Sequence, residues 1–266
     1  MTDLTIAIAT YNRLDQIQLL LAHLQPLFGE CEIIVVDDGS GDGTSEFVSS
    51  LSYVRLFSNP KKMGTPFCWN LAIKEATNPC LLTIPDDVRI IGNQTDFARR
   101  IVEDLRFSEV VGVKVVDSSG PRRISKILSD LSYLLAGQVF PAQDDRPRFT
   151  SFVSGAMAFR KEIGSLGFDE SYGGNAFREE TDFQLRARRN GFRIFYDPLL
   201  RLDHLEIRRG GQYDGFNASE RERWVRRNHR YFLKKNYSKS WWVKYPLFRA
   251  YRSMVLRIGS KAPDRT

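Results

Sequence analysis

Residues 31–51 read CEIIVVDDGSGDGTSEFVSSL. The run EIIVV is apolar without alternation, the pattern of a strand covered on both faces, as in a parallel sheet. A loop of Asp, Gly and Ser follows, and Phe47, Val48 and Leu51 then recur at helical spacing. The chain therefore reads strand, loop, helix, with Thr44 or a neighbouring polar residue as the expected cap.

The same plan repeats on either side. LTIAIAT (4–10) precedes a polar turn and the helical pattern QIQLLLAHLQPLF; VRLFSN (54–59) precedes TPFCWNLAIKEAT (65–77). CLLTIPDD (80–87) is a fourth strand, followed by a helix in DFARRIVEDLRF and a strand in EVVGVKVV. FTSFVSGAMAFRKEI reads as a strand meeting a Gly turn and a short helix. An amphipathic helix ends GFDESYGGNAFREETDFQLRARRNG, and FRIFYDPLLRLDHLE supplies a last strand with His204 just beyond it. Apolar strands alternating with helices predict a mainly parallel central sheet with helices on both faces and right-handed crossovers. Residues 117–148 show no clean periodicity and are read as an insertion that carries specificity.

Ligands of such sheets bind beyond the carboxyl ends of the strands. Three polar clusters fall there: Thr10 to Arg13, Asp37 to Thr44, and Asp86 with Asp87. Each alone is equally explained as a turn. Their convergence on one edge, with paired acids, points to a ligand. Adjacent residues of a strand face opposite ways, so Asp86 and Asp87 are expected to do different work. Asp86 suits ribose hydroxyls; Asp87 suits a hard divalent cation that bridges phosphate oxygens, with His204 as a further ligand. Glu179, Glu180 and Asp182 fall at the start of a helix, where carboxylates favour the macrodipole. They also follow a Gly-Gly loop that allows close approach, so one of them can serve as general base.

A chain of 266 residues with 42% hydrophobic content can bury one large core. No apolar run approaches the ~20 residues of a membrane span. Cys31, Cys68 and Cys80 are spaced neither for a metal nor for a disulfide framework and are expected in the core. No leader pattern precedes the first strand, so the expected location is cytoplasmic. The net charge of +7 is uneven: residues 207–266 hold 16 Lys+Arg against 4 Asp+Glu, a surplus of +12, leaving −5 on residues 1–206.

Taken together, ATYNR (9–13), VVDDGSGDGT (35–44), NPKKMGTPFCWNLAI (59–73), IPDDV (84–88), SGAMAFRKE (154–162), REETDFQLRARRNGFRI (178–194) and YDPLLRLDH (196–204) resemble an inverting glycosyltransferase of family two with the GT-A fold. The resemblance spans roughly residues 4–206 and implies a catalytic domain over 1–206, with a donor half to about 115 and an acceptor half over 116–206. It implies a UDP-, GDP- or dTDP-linked sugar donor, a saccharide or lipid-linked acceptor, and Mn²⁺ or Mg²⁺ as cofactor. Thr10, Tyr11, Asn12, Arg13, Asp38, Gly39, Gly64, Asn70 and Asp86 then line the nucleotide pocket, with Asp38 reading the base. Asp87 and His204 are the implied metal ligands, and Glu180 is the implied base, with Glu179 and Asp182 beside it. The DxD element reads PDD here, Pro85 standing for its first acid. Cell-envelope or extracellular polysaccharide assembly is the implied setting.

The segment 207–266 is expected as a basic, aromatic, helical extension. Its Arg, Lys, Trp and Tyr suit an anionic membrane surface, peripheral on the inner face; a helix packed on the sheet with a solvated basic face is the plainer account of residues 219–237. Nucleic acid lacks a supporting motif. A sugar nucleotidyltransferase would require a Gly-rich basic loop after the first strand, which ATYNR is not. A non-catalytic nucleotide-sugar binder would keep the pocket and lack turnover.

Overall fold

The computed structural model describes residues 2–117, 144–205 and 210–259. β1 (Leu4–Thr10) runs between β2 (Glu32–Asp37) and β4 (Cys80–Pro85), and β3 (Val54–Ser58) flanks β2; all three pairings are parallel. Thr10 pairs with Asp37, Asp37 with Ser58 and Ala9 with Pro85, so the four strands end in one row. That row is the edge on which the polar clusters were expected.

The crossovers are α1 (Leu14–His23), α2 (Thr44–Ser49) and α3 (Thr65–Glu75). Alternation along β1 explains why both faces need cover. Leu4, Ile6 and Ile8 pack with Ile17, Leu20 and Leu21 of α1 and with Phe97, Ala98 and Ile101 of α4 (Gln94–Asp104). Ala7, with Ile34 and Val36, faces Cys68, Trp69, Ala72 and Ile73 of α3. All three cysteines are free and buried, as core residues.

β8 (Met157–Arg160) is antiparallel to both β4 and β6 (Val110–Asp117), and leads into the single turn α5 (Lys161–Gly164) and then α6 (Glu179–Arg189). β9 (Ile194–His204) is parallel to β6, while β5 (Val88–Ile91) and β7 (Arg148–Thr150) run antiparallel on β9. β1 to β4, β6 and β9 thus share one direction, and β5, β7 and β8 oppose it.

Three details differ from the expectation. β5 has only four residues and alternates buried with exposed, too short a pattern to separate from the turn before it. In FTSFVSGAMAFRKEI the central strand follows the Gly turn; before it only Arg148–Thr150 pairs. His204 is the last residue of β9, held opposite Val88 by the ladder. The insertion read at 117–148 lies largely outside the described residues.

The extension forms α7 (Ala218–Asn236) and α8 (Trp241–Gly259). α7 opens with a capping box: the Asn217 side chain accepts from Glu220 N–H, and the Glu220 carboxylate accepts from Asn217 N–H. Its Phe232 and Leu233 pack against Phe152, Tyr172 and Leu185 of the sheet domain, each large side chain contributing ~2 kcal/mol of apolar burial. No described helix is long and apolar enough to cross a membrane.

Candidate active site

Asp86 and Asp87 occupy a turn between β4 and β5, and the turn aims both carboxylates at one group. Arg13 Nη1 donates to Asp86 Oδ1 at 2.6 Å and to Asp87 Oδ2 at 2.8 Å, while Thr10 Oγ1 donates to Asp86 Oδ2 at 2.7 Å. The opposite-face geometry expected of a strand does not apply, because the strand ends at Pro85. Asp86 is fully committed to Thr10 and Arg13, and burial pushes its carboxyl up to about 6 despite the Arg13 charge, with Asp87 adding to the rise.

Asp87 differs from its neighbour in one respect. Its Oδ1 is buried with no hydrogen-bond partner and stands 3.6 Å from His204 Nε2, beyond hydrogen-bond range. The β5–β9 ladder creates this pairing: Val88 faces His204, and Leu205 N–H donates to the Asp87 carbonyl at 2.8 Å. An orphaned carboxylate oxygen beside an imidazole nitrogen fits a divalent cation that completes its shell with oxygens from elsewhere. Among the described residues no cluster of three or more His, Cys, Asp or Glu could hold a metal alone.

The second loop is tied to the first. Asn12, at φ +49°, donates its N–H to Ser40 Oγ and accepts from Gly41 N–H, both at 2.8 Å. Asp42 caps two helices at once: Oδ1 accepts from Thr44 N–H, and Oδ2 from Leu14 N–H at the start of α1. Asp38 is 5% exposed and turned inward, accepting from Asn59 Nδ2 at 2.9 Å, Met63 N–H at 2.7 Å and Gly64 N–H at 2.8 Å. In this structure it holds the 59–64 loop. Gly39 is required there: at φ +85° a Cβ would stand 2.8 Å from the Lys61 backbone carbon. Gly64 caps α3 and directs its N–H to Asp38. Asn70 has its amide engaged with the 168–170 loop, donating to Phe168 O and Glu170 Oε1 and accepting from Phe168 N–H.

The acids of α6 separate into distinct environments. Asp182 is fully buried and accepts from Arg186 Nε, Lys235 Nζ and Asn236 Nδ2, each at 2.8 Å. It therefore anchors α6 to α7 in this structure. Glu179 is also buried; desolvation first, then the Glu180 charge and their mutual side-chain hydrogen bond, hold its carboxyl well above the usual range. Glu180 is partly exposed and lies beside Gly155. Of the pair, Glu180 is the one open to an incoming hydroxyl.

Between these two halves runs a segment that the sequence reading had left in the extension. Gly211 N–H donates to the Tyr11 carbonyl at 2.7 Å, Asp214 Oδ2 accepts from Asn12 Nδ2 at 3.1 Å, and Lys62 Nζ donates to the Gly211 carbonyl at 3.2 Å. Lys62 also lies 4.1 Å above the Tyr11 ring, a cation–π contact. Tyr213 of the same segment is 36% exposed, and desolvation of its hydroxyl, then the charges of Glu180 and Glu179, raise it above the usual range. Residues 210–214 therefore sit on the donor loops, at Tyr11, Asn12 and Lys62. The Gly-Gly pair at 210–211 was the available signal.

The family model described as Glycosyl transferase family 2 matches residues 5–163, more than half of the chain. The chain belongs to this family. It is a glycosyltransferase, and it has the GT-A fold of its structural neighbours. One is the mannosyltransferase PcManGT of Pyrobaculum calidifontis in complex with GDP-Man and Mn²⁺, at 16% identity and TM-score 0.66 over 98% of this chain and 76% of that one. A second is S. aureus TarS 1-349 with UDP-GlcNAc, at 18% identity and TM-score 0.62 over 88% and 67% of the two chains. GalNAc-T7 with UDP, GalNAc and Mn²⁺ is similar at 15% identity and TM-score 0.61, over 95% of this chain and 51% of its own. No curated protein matches.

In this glycosyltransferase the loop that carries the acids is itself held from α7. Asn228 Nδ2 donates to the Gly173 carbonyl at 2.8 Å and to Asn175 Oδ1 at 3.3 Å. Arg178, at φ +87°, is buried and donates to His229 Nδ1 at 3.2 Å; burial lowers it to about 10 against the charge of Glu180. The extension thus holds the loop that leads into α6.

Proposed function

We propose that the chain moves a sugar from a nucleoside diphosphate donor to an acceptor hydroxyl in a single inverting displacement assisted by a divalent cation. The observation that carries the reading is the orphaned Asp87 Oδ1 beside His204 at the strand-end edge. Neighbours bound to UDP-GlcNAc and to GDP-Man support a nucleotide-sugar donor, and Mn²⁺ in two of them supports the cation.

Asp87 Oδ1 and His204 Nε2 would hold Mn²⁺ or Mg²⁺, with Arg13 fixing the second Asp87 oxygen. The cation supplies neutralisation of charge on the departing diphosphate. Thr10, Tyr11 and Arg13 form the floor for the nucleotide, and Asp38 sets the loop that walls it. Glu180 takes the proton of the acceptor hydroxyl as its oxygen bonds to the anomeric carbon. The bond from that carbon to the diphosphate oxygen breaks with its electron pair leaving on the phosphate. Glu179, its carboxyl raised by burial and by the Glu180 charge, shares a side-chain hydrogen bond with Glu180 that fixes its orientation. Acceptors of this reading are saccharide or lipid-linked hydroxyls of cell-envelope or extracellular polysaccharide assembly.

The test is a panel of UDP-, GDP- and dTDP-sugars with Mn²⁺, scored for transfer and slow hydrolysis. Glu180→Gln should keep donor affinity and lose 10²- to 10⁴-fold in rate, roughly the contribution of a positioned base. Asp87→Ala should lose the Mn²⁺ dependence of donor binding. Normal transfer by Glu180→Gln, or unchanged Mn²⁺-dependent affinity in Asp87→Ala, would overturn the respective assignment.

A further inference from the structure

The surface formed by α7 and α8 carries charge that the folded chain does not use. No Asp or Glu occurs between Glu222 and Asp264. Glu222 is itself taken by Arg226 and Arg252, and Glu220 by the α7 cap. Arg223, Arg227, Arg230 and Lys234 recur at i, i+4, i+7 and i+11, which places them in one line along α7. All four are exposed, and among the described residues none is paired with a carboxylate. They line a groove of about 440 Å³ between α7 and α8, with Tyr231 and Tyr245 in its wall.

The helix that closes the groove also carries an exposed apolar face. Arg230 and Lys234 stand 5.5 Å and 4.8 Å from the Trp241 ring centroid, at the first turn of α8. Trp242, Val243, Pro246, Leu247 and Ala250 follow at i, i+1, i+4, i+5 and i+8, and every one is exposed, Trp242 by 64%. A helix interior normally hides such a set, while Phe248 on the opposite side of α8 is fully buried. Exposed apolar side chains on one helix and a row of cations without carboxylate partners on the helix packed against it suit a bilayer interface: the rings and aliphatics enter the headgroup boundary and the cations meet anionic lipids.

We infer that α7 and α8 dock the chain on an anionic lipid bilayer, with Trp242, Val243 and Leu247 inserted and Arg223, Arg227, Arg230 and Lys234 against the headgroups. The line of cations ends beside the catalytic half. Trp224 packs on Gly173 and Gly174, the loop ahead of Glu179, and Arg227 lies 4.4 Å from the Trp224 ring. Docking therefore turns the acceptor side of the molecule toward the lipid surface, which suits an acceptor carried on a lipid. That last step rests on the transfer reading; the docking does not.

The experiment is cosedimentation of the full chain with vesicles of 30% phosphatidylglycerol in phosphatidylcholine, against pure phosphatidylcholine and against soluble long-chain polyphosphate. Binding to the anionic vesicles that falls with added salt is expected. Arg223→Gln, Arg230→Gln and Lys234→Gln combined should lower the partition on the order of a hundredfold, at about tenfold or less per cation. Trp242→Ser with Leu247→Ser should lower it independently, and Asp87→Ala should bind as the parent does. All these positions except Asp87 are exposed, so folding is retained and is checked by circular dichroism and donor affinity. Equal binding by parent and both surface variants would overturn the inference. So would equal binding to neutral vesicles, or binding to polyphosphate without binding to vesicles.

Discussion

Gly174 links the extension to the chemistry, and Gly174→Ala tests that link. The residue sits at φ +63°, where an alanine costs roughly 1–2 kcal/mol. Its added Cβ would stand 2.2 Å from Trp224 Cδ2 and 2.4 Å from Cγ. Carbon atoms rest about 3.5–4.0 Å apart, so the indole or the loop has to move by more than an ångström. Overpacking of that kind costs about 1–3 kcal/mol. The sum is roughly 2–5 kcal/mol, toward the lower end because Trp224 is only half-buried and can yield. Urea unfolding measures the stability term, and kcat the functional one, since the displaced loop leads directly to Glu179 and Glu180. In a Trp224→Ala background the steric part should vanish and leave about 1–2 kcal/mol from the backbone alone. A Gly174→Ala cost below about 1 kcal/mol, or the same cost with and without Trp224, would refute the reasoning.

Three further outcomes are expected. Asp38→Asn replaces an oxygen that accepts from backbone N–H groups with an amide, and should destabilise the chain by about 1–3 kcal/mol while weakening donor binding; weakened binding at unchanged stability in a melt would mean that Asp38 contacts the base instead. Burial alone would raise Asp169, but Lys235 at 2.5 Å, the Ser171 N–H and the Tyr231 hydroxyl hold it down at about 2. The folded value lies below the usual 3.8, so the stabilisation is present above about pH 4 and is lost as pH falls toward 2; urea midpoints of Asp169→Asn should lie below the parent at pH 7 and converge with it at pH 2. Asn228→Ala removes the donor to the Gly173 carbonyl and should lower kcat more than it raises the donor KM, a split that steady-state kinetics on the intact chain measures.

The parallel half of the fold was legible because its signal is local. EIIVV, LTIAIAT and CLLTIP are each apolar from end to end, and each is buried as a unit. β5 was missed because four residues alternating beside a turn carry no distinguishable period. At the site, Thr10, Arg13, Asp86, Asp87 and His204 come together through strand ends that the pattern located. Their partners could not be read the same way. That both aspartates face Arg13 depends on the turn after Pro85, and that Asp182 is an anchor depends on Lys235 and Asn236, more than fifty residues on. Lys62 and the 210–214 segment are not legible in the sequence because no periodicity connects a loop before α7 to a loop before α3; only the folded chain sets Gly211 on Tyr11.

The ladder of β5 on β9 has a kinetic meaning as well as a chemical one. It is what brings position 87 to position 204, and three other strands, β6, β7 and β8, lie between β5 and β9 in the chain. Contacts of such sequence separation form late, because the closure entropy has to be met before they return any stabilisation. The two donors proposed for a cation are therefore expected to meet only when that edge of the sheet has zipped. Under the proposed reading, cation affinity would double as a report on completed folding.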